Sequence, residues 1–163
     1  MSPPAFACDA MHGGLARWLR AAGYDASWTY GIDDAALLAE AAASGRVVLT
    51  SDSGILERRV VRRGEVRAVF VPRGRDVDEQ LAYVLEELRL PLAEPRCMRC
   101  GGEVAEVDRS TVAAEAPPRT YRWIERFQRC RRCGALLWRG THWPRIERRL
   151  AAATDASSRA IST

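Results

Sequence analysis

The chain has 163 residues, 47% hydrophobic and 28% charged, the size of one compact domain, or of one with a small appendage, and too apolar for wholesale disorder. No apolar run nears the ~18 residues of a membrane span, and no basic-then-apolar leader opens the chain, so a soluble, cytoplasmic protein is expected. The net charge of +4 rests on 25 arginines and no lysine, which excludes a Walker-A phosphate loop, a Schiff-base enzyme and a lysine-dependent receiver switch.

In chain order, Ala5–Cys8 reads as a short buried strand ending at Asp9. Leu15, Trp18 and Leu19 share one face of a helix over 14–22, with Gly23 at its C-terminal cap. A strand over 26–30 leads to Asp33-Asp34, both good capping types, and an alanine-rich helix that Gly45 ends. Val47–Thr50 is the clearest buried strand, followed by Asp52 and a helical stretch through Val60. A strand over 66–71 and an amphipathic helix over 77–88 complete an α/β domain, residues 1–92, with a parallel central sheet in three layers. Pro91 and Pro95 mark a linker, a second unit spans 96–150 with a closing helix from Trp143 to Leu150, and residues 151–163 read as a frayed, disordered tail.

Charge divides along the same boundary. Residues 1–95 carry 11 arginines against 14 acids, whereas residues 96–149 carry 13 against 6. A basic second half implies an anionic partner. Cys97-Met-Arg-Cys100 and Cys130-Arg-Arg-Cys133, 29 residues apart, have the spacing of a four-thiolate structural zinc site, a zinc ribbon that leaves the metal no open position. Between the knuckles, Arg122, Arg126, Arg131 and Arg132 interleave with Tyr121, Trp123 and Phe127. The arginines suit phosphates; the rings suit either unpaired bases or the ribbon's small core. Cys8 is expected to be a buried apolar residue.

Asp9 and Asp52 both follow predicted strands, whose C-terminal ends share one edge in a parallel sheet. With Asp34 they could form an acidic pocket that magnesium or manganese would neutralise, suited to phosphodiester hydrolysis. The competing reading makes Asp33, Asp34 and Asp52 helix caps. Asp76 and Asp78 offer a further acid or a helix start. Thr50 and Ser51 could donate to a metal-bound water, Arg17 and Arg20 to phosphate, and His142 could touch phosphate or cap the last helix.

Three segments, Asp9-Ala-Met-His-Gly-Gly-Leu-Ala-Arg-Trp-Leu-Arg-Ala-Ala-Gly-Tyr-Asp25, Asp33-Asp34-Ala-Ala-Leu-Leu and Gly45-Arg-Val-Val-Leu-Thr-Ser-Asp52, together with the CxxC pair and Trp138-Arg-Gly-Thr-His142-Trp143, resemble the Mut7-C domain family over about residues 5–150. The resemblance implies a PIN-like ribonuclease fold, with Asp9, Asp34 and Asp52 holding catalytic magnesium or manganese and Asp76 as the best match to a fourth acid. RNA, single-stranded or structured, is the implied substrate. The rival expectations are a non-catalytic RNA- or ribosome-associated binding module and a protein adaptor using the arginine-rich face.

Overall fold

The computed structural model of the protein describes residues 2–160. Its first unit runs β1 (Phe6–Cys8), α1 (Gly13–Ala21), β2 (Ala26–Trp28), α2 (Asp34–Ser44), β3 (Val47–Thr50), α3 (Ser53–Leu56), α4 (Arg59–Arg62), β4 (Ala68–Phe70) and α5 (Val77–Glu87). All four strands are parallel, in the order β2-β1-β3-β4. The expected helical stretch after Asp52 is broken in two, because Arg58 between α3 and α4 is extended (ψ 137°). Asp33 caps α2 by accepting from Ala36 N, and a reciprocal Asp76–Glu79 capping box opens α5.

Both faces of the sheet are covered, so its strands are apolar throughout rather than alternating. Phe6, Cys8 and Leu49 point into a core shared with Leu15 and Leu19 of α1 and Leu81 and Leu85 of α5. Ala7 and Val48 point to the other side, against Leu37, Leu38 and Ala41 of α2 and Ile55 of α3. Cys8 is fully buried as expected, and burial, with Asp9 alongside, pushes its thiol up to about 12.

The second unit comprises β5 (Val104–Val107), a 3-10 turn at Arg109–Val112, α6 (Pro118–Trp123), β6 (Phe127–Cys130) and β7 (Leu136–Trp138), its three strands antiparallel in the order β5-β6-β7. Its core is small: Val112, Ala116 and Phe127, flanked by Tyr121 and Ile124. Tyr121 stacks on Phe127 at 6.1 Å between centroids, so these two rings are structural. Trp123, in contrast, is 73% exposed.

α7 (Trp143–Ala160) corrects the expected closing helix and loose tail. The helix continues ten residues past Leu150, through an alanine-rich segment of high helix propensity. Residues 161–163 lie outside the described residues. α7 packs on α5, burying Leu150 and Ala153 in the first unit's core. Arg149 lies over the Trp18 ring at 4.1 Å and pairs with Asp78. No helix among the described residues is long and apolar enough to cross a membrane.

The units are joined by buried charge. Arg20 donates through Nε to Ala26 O and through Nη1 to Met98 O and Arg99 O, at 2.8, 3.0 and 3.1 Å. Asp25, 14% exposed, accepts from Arg46 at 2.9 Å and from Arg132 at 2.7 Å. Gly101, at φ +81°, lies so close that a Cβ there would fall 2.6 Å from the Asp25 Oδ1. Burial alone would raise the Asp25 carboxyl, but the Arg132 and Arg46 hydrogen bonds outweigh it and hold the group at about 2, below its ordinary 3.8. A carboxylate depressed in the folded state stabilises fully above its unfolded value, and that stabilisation fades as pH falls toward the folded one. Asp25→Asn should therefore cost about 2 kcal/mol at neutral pH. In urea unfolding of both chains, the gap should narrow below about pH 4 and close near pH 2; a gap constant over that range would contradict the assignment.

Candidate active site and metal centre

The strand order places a topological switch between β1 and β3: the chain leaves β1 toward β2 on one side and leaves β3 toward β4 on the other. Ligands of open parallel sheets bind at the strand C-termini flanking such a point. Here Asp9 N–H donates to Leu49 O at 3.0 Å, bringing the residue after β1 against the end of β3. Asp9 is 7% exposed, and its carboxylate is held on both oxygens. Oδ1 accepts from Met11 N at 3.0 Å; Oδ2 accepts from Thr50 Oγ1 at 2.7 Å and Ser51 N at 3.2 Å. Thr50 Oγ1 in turn accepts from Asp52 N at 2.9 Å, so one hydroxyl links the two aspartates that follow neighbouring strands.

The remaining acids have local partners. Asp52 caps α3, its Oδ1 accepting from Gly54 N at 2.8 Å. Asp34, the first residue of α2, has a 38% exposed side chain 3.4 Å from Arg58. Asp76 is exposed and spent in the α5 capping box. The expected pocket of mutually repelling carboxylates is thus not formed as direct ligands of one ion. Among the described residues, the four cysteines are the one group of three or more His, Cys, Asp or Glu side chains whose ligand atoms converge. Asp52 and Asp76 are turned toward the helices they cap and Asp34 toward Arg58, so the carboxylates do not converge.

Two neighbours carry more of the site than their sequence context suggested. His12, 3% exposed, reaches Ser51 Oγ through Nε2 at 2.9 Å and lies 3.9 Å from Asp9 Oδ1. Ser51 Oγ donates to Val71 O at 2.6 Å, which leaves Nε2–H as the donor to the hydroxyl. His12 Nδ1 is buried without a hydrogen-bond partner. Arg73 Nε donates to Ser51 O at 2.8 Å. A histidine next to Gly13-Gly14 after a strand-end aspartate was the available signal, but its partner is 39 positions away.

The cysteine centre forms as expected. The Sγ atoms of Cys97, Cys100, Cys130 and Cys133 all lie within 4.8 Å of one another, Cys97 to Cys133 at 3.8 Å and Cys100 to Cys130 at 3.5 Å. A tetrahedral ion with metal–sulfur bonds of about 2.3 Å needs edges of about 3.8 Å, so the group could hold zinc. Backbone N–H groups of Gly102, Arg132 and Cys133 point at the Cys100 and Cys130 sulfurs; the Cys130 thiol is held below its ordinary range, against its burial, by those hydrogen bonds, whereas burial pushes the Cys100 thiol up.

The arginines expected on nucleic acid divide. Arg20 is buried in the joint between the units, and three backbone carbonyls take up its guanidinium, which corrects the expected phosphate contact. Arg132 is committed to Asp25. Arg126 pairs with Glu106 at 2.8 Å on the surface. Arg122 lies over the exposed Trp123 ring at 5.4 Å, and Arg17 and Arg131 are exposed. His142 is exposed at the start of α7, where its carbonyl accepts from Arg145 N and Ile146 N.

The family profile described as Mut7-C RNAse domain matches residues 4–150. The chain belongs to the Mut7-C RNAse domain family. The match takes in both the parallel sheet and the cysteine centre, so the Mut7-C unit includes the two together. Comparison with curated proteins and with solved structures gives no match. In this Mut7-C chain the zinc reading predicts one tightly held ion per molecule. Cobalt substitution should give the charge-transfer and ligand-field bands of a tetrahedral four-thiolate site, and Cys130→Ser should lose them and the second unit's ordered structure together. A chain that folds without metal and takes up none would contradict it.

Proposed function

We propose that this chain is a magnesium- or manganese-dependent ribonuclease of PIN-like fold, acting in the cytoplasm, in which a C-terminal zinc ribbon helps to hold the RNA. The observation that carries the reading is Asp9, a buried carboxylate at the switch point of a parallel sheet, kept in place by Thr50, Ser51 and Met11. Membership of the Mut7-C RNAse domain family supports the reaction class.

The donor chemistry at this edge fits a hard cation. Asp9 and Asp52 offer carboxylate oxygens that still have free lone pairs, since each oxygen can accept more than one hydrogen bond. Magnesium commonly binds through one or two carboxylates and keeps several waters, so three convergent direct ligands are not required. Asp9, Asp52 and, through water, Asp34 would hold the ion, with Asp76 the remaining acid of that sheet edge. When bound, such an ion supplies charge stabilisation at phosphate and an activated water.

The chain's own residues set up that chemistry. Donors on both Asp9 oxygens fix the direction of its carboxylate. His12 and Arg73 brace Ser51, which keeps the β3 end in register with β1. Free arginines outside the ion pairs, Arg17 and Arg131 among them, would supply a grip that weakens with salt as phosphate contacts release counterions.

A second reading has a specific observation behind it: Asp34 is paired with Arg58 and Asp76 is absorbed in a capping box. It describes a non-catalytic RNA- or ribosome-binding module. Cleavage of RNA in manganese decides between them. The nuclease reading predicts that Asp9→Asn lowers the rate at least a hundredfold and that withdrawing divalent ions abolishes it, while circular dichroism stays unchanged. RNA left intact by the wild-type chain in manganese, or cut equally by the variant, contradicts it.

A further inference from the structure

Three large apolar side chains lie exposed beside the loop that follows Asp9: Tyr30 at 88%, Met11 at 80% and Trp28 at 37%. Clustered exposure of this kind marks a binding surface more often than an accident of packing. The shelf is rigidly mounted. Trp28 Nε1 donates to Ala10 O at 3.1 Å, in the turn between Asp9 and α1. Its ring lies over Gly13 so closely that a Cβ there would sit 2.8 Å from Cε2. Tyr30 meets the indole edge-on at 6.3 Å.

Trp28 also forms one wall of a cleft of about 620 Å³ between the two units, within the range that holds a ligand. Gly13, Arg17 and the carbonyl-bound Arg20 line it from α1, and Met98, Arg99 and Leu137 from the cysteine unit. No carboxylate lines it. Arg17 and Arg99 are exposed and, among the described residues, in no ion pair, whereas Arg126, Arg129, Arg132 and Arg139 all are. Unpaired cations beside a preformed aromatic surface match a ligand with regularly spaced anions and flat apolar rings.

We propose that this cleft takes single-stranded RNA, one unpaired base stacking on the exposed Tyr30 ring, which the Trp28 indole backs edge-on, and the flanking phosphates lying on Arg17 and Arg99. The shelf requires a base whose face is free, which a duplex does not offer. The Ala10–Met11 turn ties the shelf to Asp9, so the same strand runs past the acidic edge. The assignment deepens the ribonuclease reading and rests on it for direction along the strand. It also gives the cysteine unit a definite task, to supply the second wall and one phosphate contact.

The test uses the full, zinc-loaded chain, a fluorescein-labelled uridine dodecamer and fluorescence anisotropy without added magnesium or manganese, so that binding is read apart from cleavage. Tyr30→Ala should weaken binding about tenfold and Tyr30→Phe should restore it, since stacking needs the ring and not the hydroxyl. Arg17→Ala and Arg99→Ala should each weaken it and flatten its salt dependence. A twelve-base-pair RNA duplex should bind weakly and be indifferent to Tyr30. The proposal is overturned if Tyr30→Ala binds the dodecamer like wild type, or weakens strand and duplex alike. Tighter binding of an oligoglutamate peptide than of the dodecamer overturns it too, assigning the cleft to an acidic protein partner. A chain that binds as described but never cuts RNA leaves the cleft in place and removes the ribonuclease reading; one that cuts RNA with no dependence on Tyr30 does the reverse.

Discussion

The parallel pairing of β1 with β3 is the constraint on which everything at the acidic edge depends. Register aligns Cys8 with Leu49, and the Asp9 N–H then closes on Leu49 O. The chain departs from these two strands in opposite directions, and Asp9 meets Thr50 and Ser51 across more than forty residues, all three side chains buried. Burial strips a carboxylate of water, so its oxygens need donors from the protein instead. Thr50 Oγ1, Ser51 N and Met11 N are those donors. A slip of one residue would turn Thr50 to the opposite face and leave Asp9 without its shortest hydrogen bond.

A second constraint joins the cysteine unit to the sheet. Beside the apolar packing of Met98 and α7 on the first core, the joint is ionic and directional: Arg20 reaches two carbonyls of the first knuckle, and Arg132 of the second knuckle reaches back to Asp25. Point contacts of this type set orientation at little cost in buried apolar area. They hold a wall of the Trp28 cleft against α1, so a metal taken up by the four cysteines would steady that wall.

Much of the first unit was legible because its signals are local. Asp33 and Asp76 cap their helices, Gly45 ends α2 in the left-handed region, and apolar runs of three or four residues make the strands. The cysteine spacing was equally explicit. What escaped was set by partners distant in the chain. Arg20 and Arg132 looked like free cations, yet their partners are 78 and 107 positions away. The segment after Leu150 looked loose because alanine carries no amphipathic signal, although a small side chain is what lets Ala153 sit against the first core. Tyr121 and Phe127 were readable as core, and Trp123, with the same composition around it, was not separable from them. The acids show the limit most sharply: position after a strand brought Asp9, Asp34, Asp52 and Asp76 to one sheet edge, but Asp52 and Asp76 cap their own helices and Asp34 pairs with Arg58, 24 positions away.

Anomalous diffraction from crystals of the zinc-loaded protein equilibrated with manganese addresses the central claim most directly. A nuclease centred on Asp9 should show a manganese peak within coordination distance of an Asp9 oxygen, in addition to zinc among the four sulfurs. Zinc at the cysteines with no manganese near Asp9 at concentrations that saturate ordinary two-carboxylate sites would contradict it.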